Sequence, residues 1–178
     1  MLGLPFDIVP ADIDESYAAG ESPDAHAERL ARAKASAVLR AHAGSLVIGS
    51  DTVVVVGGTV LGKPRHADDA VRMLMQLQGR EHTVATGIAA AQGSDVRSAV
   101  ELVRVRFRPF DEEMARAYVN TGEPLDKAGA YGIQGYGAVL VDRIEGDFFA
   151  VMGLPIRRLI ALLEALGWHY HFPGLRRA

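Results

Sequence analysis

Residues 47–64 read VIGSDTVVVVGGTVLGKP. β-branched and apolar residues over 52–56 suit a buried strand, Gly57-Gly58 supply a tight turn, and residues 59–61 form the return of a hairpin. A shorter strand over 46–48 precedes it, ended by GSDT. Asp51 thus falls at a break in an apolar run and Lys63 at its exit, near each other across the hairpin. A charge beside buried apolar chain is costly unless it is paired, so these two residues are the first functional candidates.

Upstream, ESPDAHAERLARAKASAVLRAHAG has the marks of a helix: Ser22 or Asp24 as N-cap, Pro23 in the first turn and Gly44 past the end. Its apolar stripe is Ala27, Leu30, Ala31, Val38 and Ala41, and Lys34 falls in the middle of that stripe. Such a lysine either snorkels from the core or reaches a partner within it. Downstream, a helix is predicted over 66–78 with Ala70, Val71, Leu74 and Leu77 inward, then long strands over 82–92 and 97–108. The second strand alternates Val103, Val105 and Phe107 with Arg104, Arg106 and Arg108; without interleaved aromatics the arginines read as a solvated face. A helix over 111–121 leads into GEPLDKAGAYGIQGYGA, a glycine-dense stretch of the kind that forms binding loops. Short strands over 138–141 and 148–151, a helix over 155–166 and a tail of terminal packing complete the pattern. His169 and His171 in that tail make a weak metal pair, having no third ligand. The class is α/β in a single domain over 1–178, with no internal repeat or linker.

The 178 residues include 49% hydrophobic ones, enough for a sizeable core. There is no cysteine, which removes disulfides, thiolate nucleophiles and thiolate metal sites. No stretch has the length and apolarity of a membrane helix, and MLGLPFDIVPADIDE lacks the features of a signal peptide. The expectation is a cytoplasmic protein with no membrane partner. A net charge of −3 gives no global attraction to nucleic acid, so an anionic ligand needs a local basic pocket. Only three of the 19 basic residues are lysines: Lys34, Lys63 and Lys127.

Glu15, Asp51, Lys34 and Lys63 together suit a polyphosphate. Ammonium groups hold the phosphates, and a hard cation bound through one or two carboxylates bridges phosphate oxygens and water. An aspartate with the ordinary pKa of about 3.9 is a weak base at neutral pH, sufficient where a metal acidifies the attacking water. The same residues also suit ordinary surface ion pairs.

FDIVPADIDES, AERLARAKASAV, VIGSDTVVVVGGTVLGKP, MLMQLQGREHTVATG, GEPLDKAGAYGIQGYGA and GDFFAVMGLPI, in that order, resemble the Maf family of nucleoside triphosphate pyrophosphatases. The resemblance implies a mixed sheet in two lobes around a cleft, related to the inosine triphosphate pyrophosphatases. It implies hydrolysis of a nucleoside triphosphate to the monophosphate and pyrophosphate with Mg²⁺ or Mn²⁺. Asp51 is then the general base, Glu15 with Asp51 the metal carboxylates, and Lys34 and Lys63 the phosphate-facing cations. DKAGAYGIQG is similar to the branch acting on dTTP and UTP, with Thr52 and Gln134 at positions linked to that choice; a glutamine amide can both donate to and accept from a uracil or thymine edge. A homodimer is a further implication.

Family members carry a first strand and a Ser-x-Ser-Pro-Arg-Arg loop ahead of the segment matching LGLPF, whereas this chain starts at MLGLPF. The implication is a start placed too far downstream, and weak or no hydrolysis by the chain as given, because loss of one preorganised donor can cost about 10²- to 10³-fold in rate. The alternative from another class is a nucleotide-binding regulatory protein linked to septum formation.

Overall fold

The computed structural model describes residues 2–178. Residues 2–18 have no regular secondary structure and lead to helix α1, Pro23–Ala41. Ser22 caps it by accepting from the Ala25 N–H, and Pro23 and Asp24 occupy the first turn, where a missing N–H and a negative charge both suit the helix dipole. The buried face is mostly small: Ala27, Ala31 and Ala35 with Leu30 and His26.

Ten residues, Val47–Val56, form one uninterrupted strand β1, so the break expected at GSDT does not occur. Gly49, Ser50 and Asp51 are poor strand formers, but full pairing with β3 (Glu81–Gln92) over Val47↔Ala91 to Val55↔Thr83 carries them. β2 (Thr59–Leu61) pairs with β1 only at Val54–Val56, and β3 pairs along its whole length with β4 (Asp95–Phe107). β5, Val141–Glu145, completes the order β2-β1-β3-β4-β5. Every pairing is antiparallel where a mixed sheet was expected, because hairpins join β1 to β2 and β3 to β4 and the longer connections also return the chain reversed.

The sheet is covered on both faces. On one, α1 packs through Ala27, Ala31 and Ala35 against Val47, Val53, Ala85, Ala89 and Ala91. On the other lie α2 (Ala67–Leu77), α3 (Glu112–Val119), α4 (Phe148–Val151) and α5 (Ile156–Ala165). Leu74, Leu77, Val103, Val105 and Phe107 are fully buried there, each worth about 1.5–3 kcal/mol relative to exposure. On the α1 side the cover stops short of the end of β4, where Arg104 and Arg106 point to solvent and pair with Glu145 and Asp142.

Three further expectations change. Residues 138–140 belong to a 3₁₀ turn, Gly135–Leu140, and the strand starts only at Val141. Residues 148–151 are helical, because the Asp147 carboxylate accepts from the Phe149 N–H and starts a turn where aromatic content alone suggested a strand. The tail forms a hairpin of β6 (Trp168–Tyr170) and β7 (Leu175–Arg177), tied back by Tyr170 Oη donating to Leu2 O at 2.7 Å. Among the described residues no helix is long and apolar enough to cross a membrane.

Candidate active site

β2 stops at Leu61, so residues 47–53 of β1 have no strand beside them on that side, and a cleft of about 280 Å³ opens there. Alternation along β1 gives its two faces to different walls. Asp51 lies on the α1 face; Ser50, Thr52 and Val54 lie on the face toward α4.

Asp51 is directly opposite Gly87 on β3, and Gly49 is two residues along on the same face. Neither glycine needs an unusual backbone; both are needed for space. A Cβ on Gly87 would sit 2.2 Å from Ala27 O, and one on Gly49 2.5 Å from Ala31 O. The α1 backbone therefore rests almost on the sheet, and Lys34 reaches Asp51. Lys34 Nζ donates to Asp51 Oδ1 at 2.6 Å and lies 2.7 Å from Glu15 Oε1, so one ammonium bridges two carboxylates. Asp51 is mostly covered, its side chain 11% exposed, while that of Glu15 is 49% exposed. The lysine in the apolar stripe of α1 is thus neither snorkelling nor idle. Burial opposes its charge, but the bonds to Asp51 and Glu15 outweigh burial and raise its pKa. The bond to Lys34 holds the Glu15 carboxyl below its ordinary range against a smaller effect of burial.

Glu15 comes from the irregular N-terminal segment, which is clamped to α1. Glu21 accepts from Arg29 Nε at 2.6 Å and contacts His26 Nδ1 at 2.9 Å; Arg29 Nη2 donates to Ser16 O at 2.9 Å. Tyr17 stacks on His26 with centroids 3.5 Å apart.

Lys63 lines the same cleft as Asp51, as hairpin neighbours should, but the cation bonded to Asp51 is Lys34. The glycine-dense loop closes the cleft from the β2 side. Gly129 N donates to Gly62 O at 3.0 Å, next to Lys63. Gly129 has φ +68°, and a Cβ there would press to 2.9 Å from Val54 Cγ2, so only glycine fits both backbone and space. The loop contributes Lys127, paired with Asp126 at 2.6 Å, and Gln134, which is exposed and makes no capping bond to the turn it precedes. Glu123 secures the loop's far end, accepting from Tyr118 Oη at 2.8 Å, Tyr136 N at 2.8 Å and Gly137 N at 3.0 Å. Behind the cleft Tyr131 Oη contacts His82 Nε2 at 2.8 Å; His82 is 3% exposed, and burial pushes its pKa down to about 4.

Glu15 and Asp51 both contact Lys34, and Lys63, Thr52 and Gln134 line the same cleft as Lys34 and Asp51. Sequence reasoning missed Ser50, Thr86, Glu123 and Tyr131. Ser50 Oγ lies 2.8 Å from Gly87 O and 2.7 Å from Gly153 O, its one proton shared between them, and so ties the turn after α4 to the sheet. Thr86 is the one fully buried hydroxyl in an otherwise apolar stretch of β3, a signal visible in the sequence and not used.

The description Maf-like protein matches residues 1–166. The dTTP/UTP pyrophosphatase of Moorella thermoacetica is 52% identical over 168 residues, covering 93% of this chain and 87% of that protein. Proteins of the same name from Symbiobacterium thermophilum and Aquifex aeolicus are 46% and 42% identical, over 94% and 93% of this chain and 86% and 87% of their own lengths. With such matches running through both walls of the cleft, the chain belongs to the Maf-like protein family.

Proposed function

We propose that the chain hydrolyses dTTP and UTP to the nucleoside monophosphate and pyrophosphate, the activity for which its relatives are named. The observation that carries this reading is the convergence of two carboxylates on one lysine, Glu15 and Asp51 on Lys34, beside a cleft onto which Lys63 and Lys127 also open. Cations for a polyphosphate and carboxylates for water and metal are thereby within one side chain's reach.

The donor chemistry fits a hard divalent cation such as Mg²⁺ or Mn²⁺. Glu15 and Asp51 offer carboxylate oxygens, and among the described residues no group of three or more His, Cys, Asp or Glu forms a self-sufficient metal cage. A site with two carboxylates is one that substrate phosphates and water complete. When bound, such a cation neutralises phosphate charge and polarises the phosphoryl group.

Asp51, fixed by Lys34 and largely shielded from solvent, orients a water and takes its proton as the oxygen bonds to the α-phosphorus. The α–β bridging P–O bond breaks and pyrophosphate leaves with that oxygen; the proton passes from Asp51 to bulk water. Lys63 and Lys127 balance charge on the departing phosphates. Thr52 and Gln134 address the base from the opposite wall.

Pyrophosphate release from UTP and dTTP, followed at high protein concentration so that slow turnover registers, tests the reading against Asp51→Asn. The expected loss is about 10²- to 10⁴-fold in rate, and in ¹⁸O-water the label should enter the monophosphate. Nucleotide binding by a folded chain without any pyrophosphate release refutes it.

A further inference from the structure

Asp12, Asp14 and Glu15 lie close together in the irregular N-terminal segment, yet the carboxylate 2.7 Å from Lys34 Nζ is that of Glu15. A segment that is neither helix nor strand has no ladder of backbone bonds to hold its register. Sliding it by one residue displaces the chain by about 3.3–3.6 Å, which breaks that contact and brings Asp14 to the place of Glu15.

The register is held from α1 instead. Arg29 Nε donates to Glu21 Oε1 at 2.6 Å and Nη2 to Glu21 Oε2 at 2.8 Å, while Nη2 also donates to Ser16 O at 2.9 Å. Glu21 Oε2 in turn accepts from Ala18 N at 3.1 Å. The pair thus grips the segment by its backbone at Ser16 and Ala18, immediately after Glu15. The Glu21 side chain is 9% exposed, so the grip is partly shielded from the water that weakens ion pairs at a surface. Asp14 is meanwhile committed elsewhere, its Oδ1 accepting from Ser16 N at 2.9 Å in a local turn. Resting on the hydrolytic reading above, in which Glu15 is a metal carboxylate, we infer that Arg29 and Glu21 are positioning residues that fix the register of the N-terminal segment and so select Glu15 over Asp14 as the carboxylate delivered to Lys34. Neither lines the cleft; both act through the backbone beside Glu15.

Lys34 can report its own partners. The chain has three lysines, so ¹³Cε-lysine labelling gives three signals, and the one absent from Lys34→Met belongs to Lys34. At neutral pH, Glu15→Gln should shift that signal in the parent and Asp14→Asn should leave it in place. In Arg29→Gln the response to Glu15→Gln should shrink and Asp14→Asn should begin to move the signal. Arg29→Lys should behave likewise, since a point ammonium lacks the fork that spans Glu21 and Ser16 O. Asp51→Asn is the control: Asp51 meets Lys34 from β1, so its effect on the signal should persist in Arg29→Gln. Melting curves establish folding, and should Arg29→Gln not fold, Glu21→Gln carries the same expectations. Equal responses to Glu15→Gln and Asp14→Asn in the parent, or a full response to Glu15→Gln in folded Arg29→Gln, overturns the inference. So does loss of the Asp51→Asn response along with that of Glu15→Gln, which marks general loosening rather than lost register. Pyrophosphate release from UTP should fall about 10- to 100-fold in Arg29→Gln, and Glu15→Gln should then cost that variant less than it costs the parent; additive costs also overturn the inference. A chain whose Lys34 signal behaves as stated yet which never cleaves UTP refutes hydrolysis and leaves the selection of Glu15 standing.

Discussion

Gly87→Ala adds one methyl group at the point where α1 lies closest to the sheet. The new Cβ would be 2.2 Å from Ala27 O, 2.3 Å from Ala27 C and 2.6 Å from Glu28 N, all backbone atoms that no rotamer change can move. The helix must withdraw by about 0.8 Å merely to bring the first contact to 3.0 Å. Lys34 rides on that helix, and its 2.6 Å bond to Asp51, directly across from Gly87, stretches or tilts with it. Overpacking of this kind costs about 1–3 kcal/mol, or about 2–12 °C in melting temperature for a chain of this size. Misplacement of a reacting group by about 1 Å can cost about 10²-fold in turnover. Gly62→Ala is the control, since a Cβ there meets nothing within 4 Å, and its effect on stability should stay within about 0.5 kcal/mol. Denaturant melts and pyrophosphate release on the three proteins decide the matter. If Gly87→Ala melts and turns over like the parent, α1 does not depend on that glycine for its approach and the account of how Lys34 reaches Asp51 is wrong.

In Lys34→Met the Glu15 carboxyl, now held below its ordinary value of 4.5 chiefly by the bond to Lys34, should titrate closer to that value by NMR; an unmoved titration would assign the shift elsewhere. His82 has a folded pKa of about 4 against 6.5 unfolded, so the unfolded chain binds more protons between those values. Its contribution is complete above pH 6.5 and is lost as pH falls toward 4, about 3 kcal/mol in all; His82→Phe should flatten that part of the stability curve, and a parent curve level from pH 7 to 4.5 argues against a buried neutral imidazole. Glu123→Gln places an amide where two backbone N–H groups and a tyrosine hydroxyl need an acceptor, so the loop bearing Gln134 loosens and KM for UTP should rise about tenfold. A fall in kcat at constant KM would point instead to a role in chemistry.

Periodicity was enough to find α1 and to mark Lys34 as misplaced on an apolar stripe, and the reason is now plain: its ammonium is spent on Asp51 and Glu15 inside the fold. Strand alternation likewise foretold which side of β4 is buried. Propensity failed at GSDT and at residues 148–151. In the first case cross-strand pairing and the acceptors around Ser50 override weak strand formers; in the second the Asp147 cap overrides aromatic strand content. The Thr52–Thr86 contact was out of reach because it depends on the register between strands 34 residues apart, which no local pattern encodes. Glu15 was grouped with Lys34 on its chemistry and the resemblance alone; the direct bond between them was not legible, since the segment bearing Glu15 has no periodicity of its own.

Asp51 and Thr52 are consecutive residues that look in opposite directions from one strand. A slip of β1 by a single position would send the carboxylate to the α4 side and the hydroxyl to the α1 side, parting Asp51 from Lys34. Insertions or deletions within this strand are therefore intolerable in a way that substitutions are not. Conversely, the pleat keeps the two walls apart: side chains contributed from α4 and the glycine-dense loop can change while the lysine–carboxylate arrangement under α1 stays untouched. One strand thus presents two independently variable walls to a single cleft.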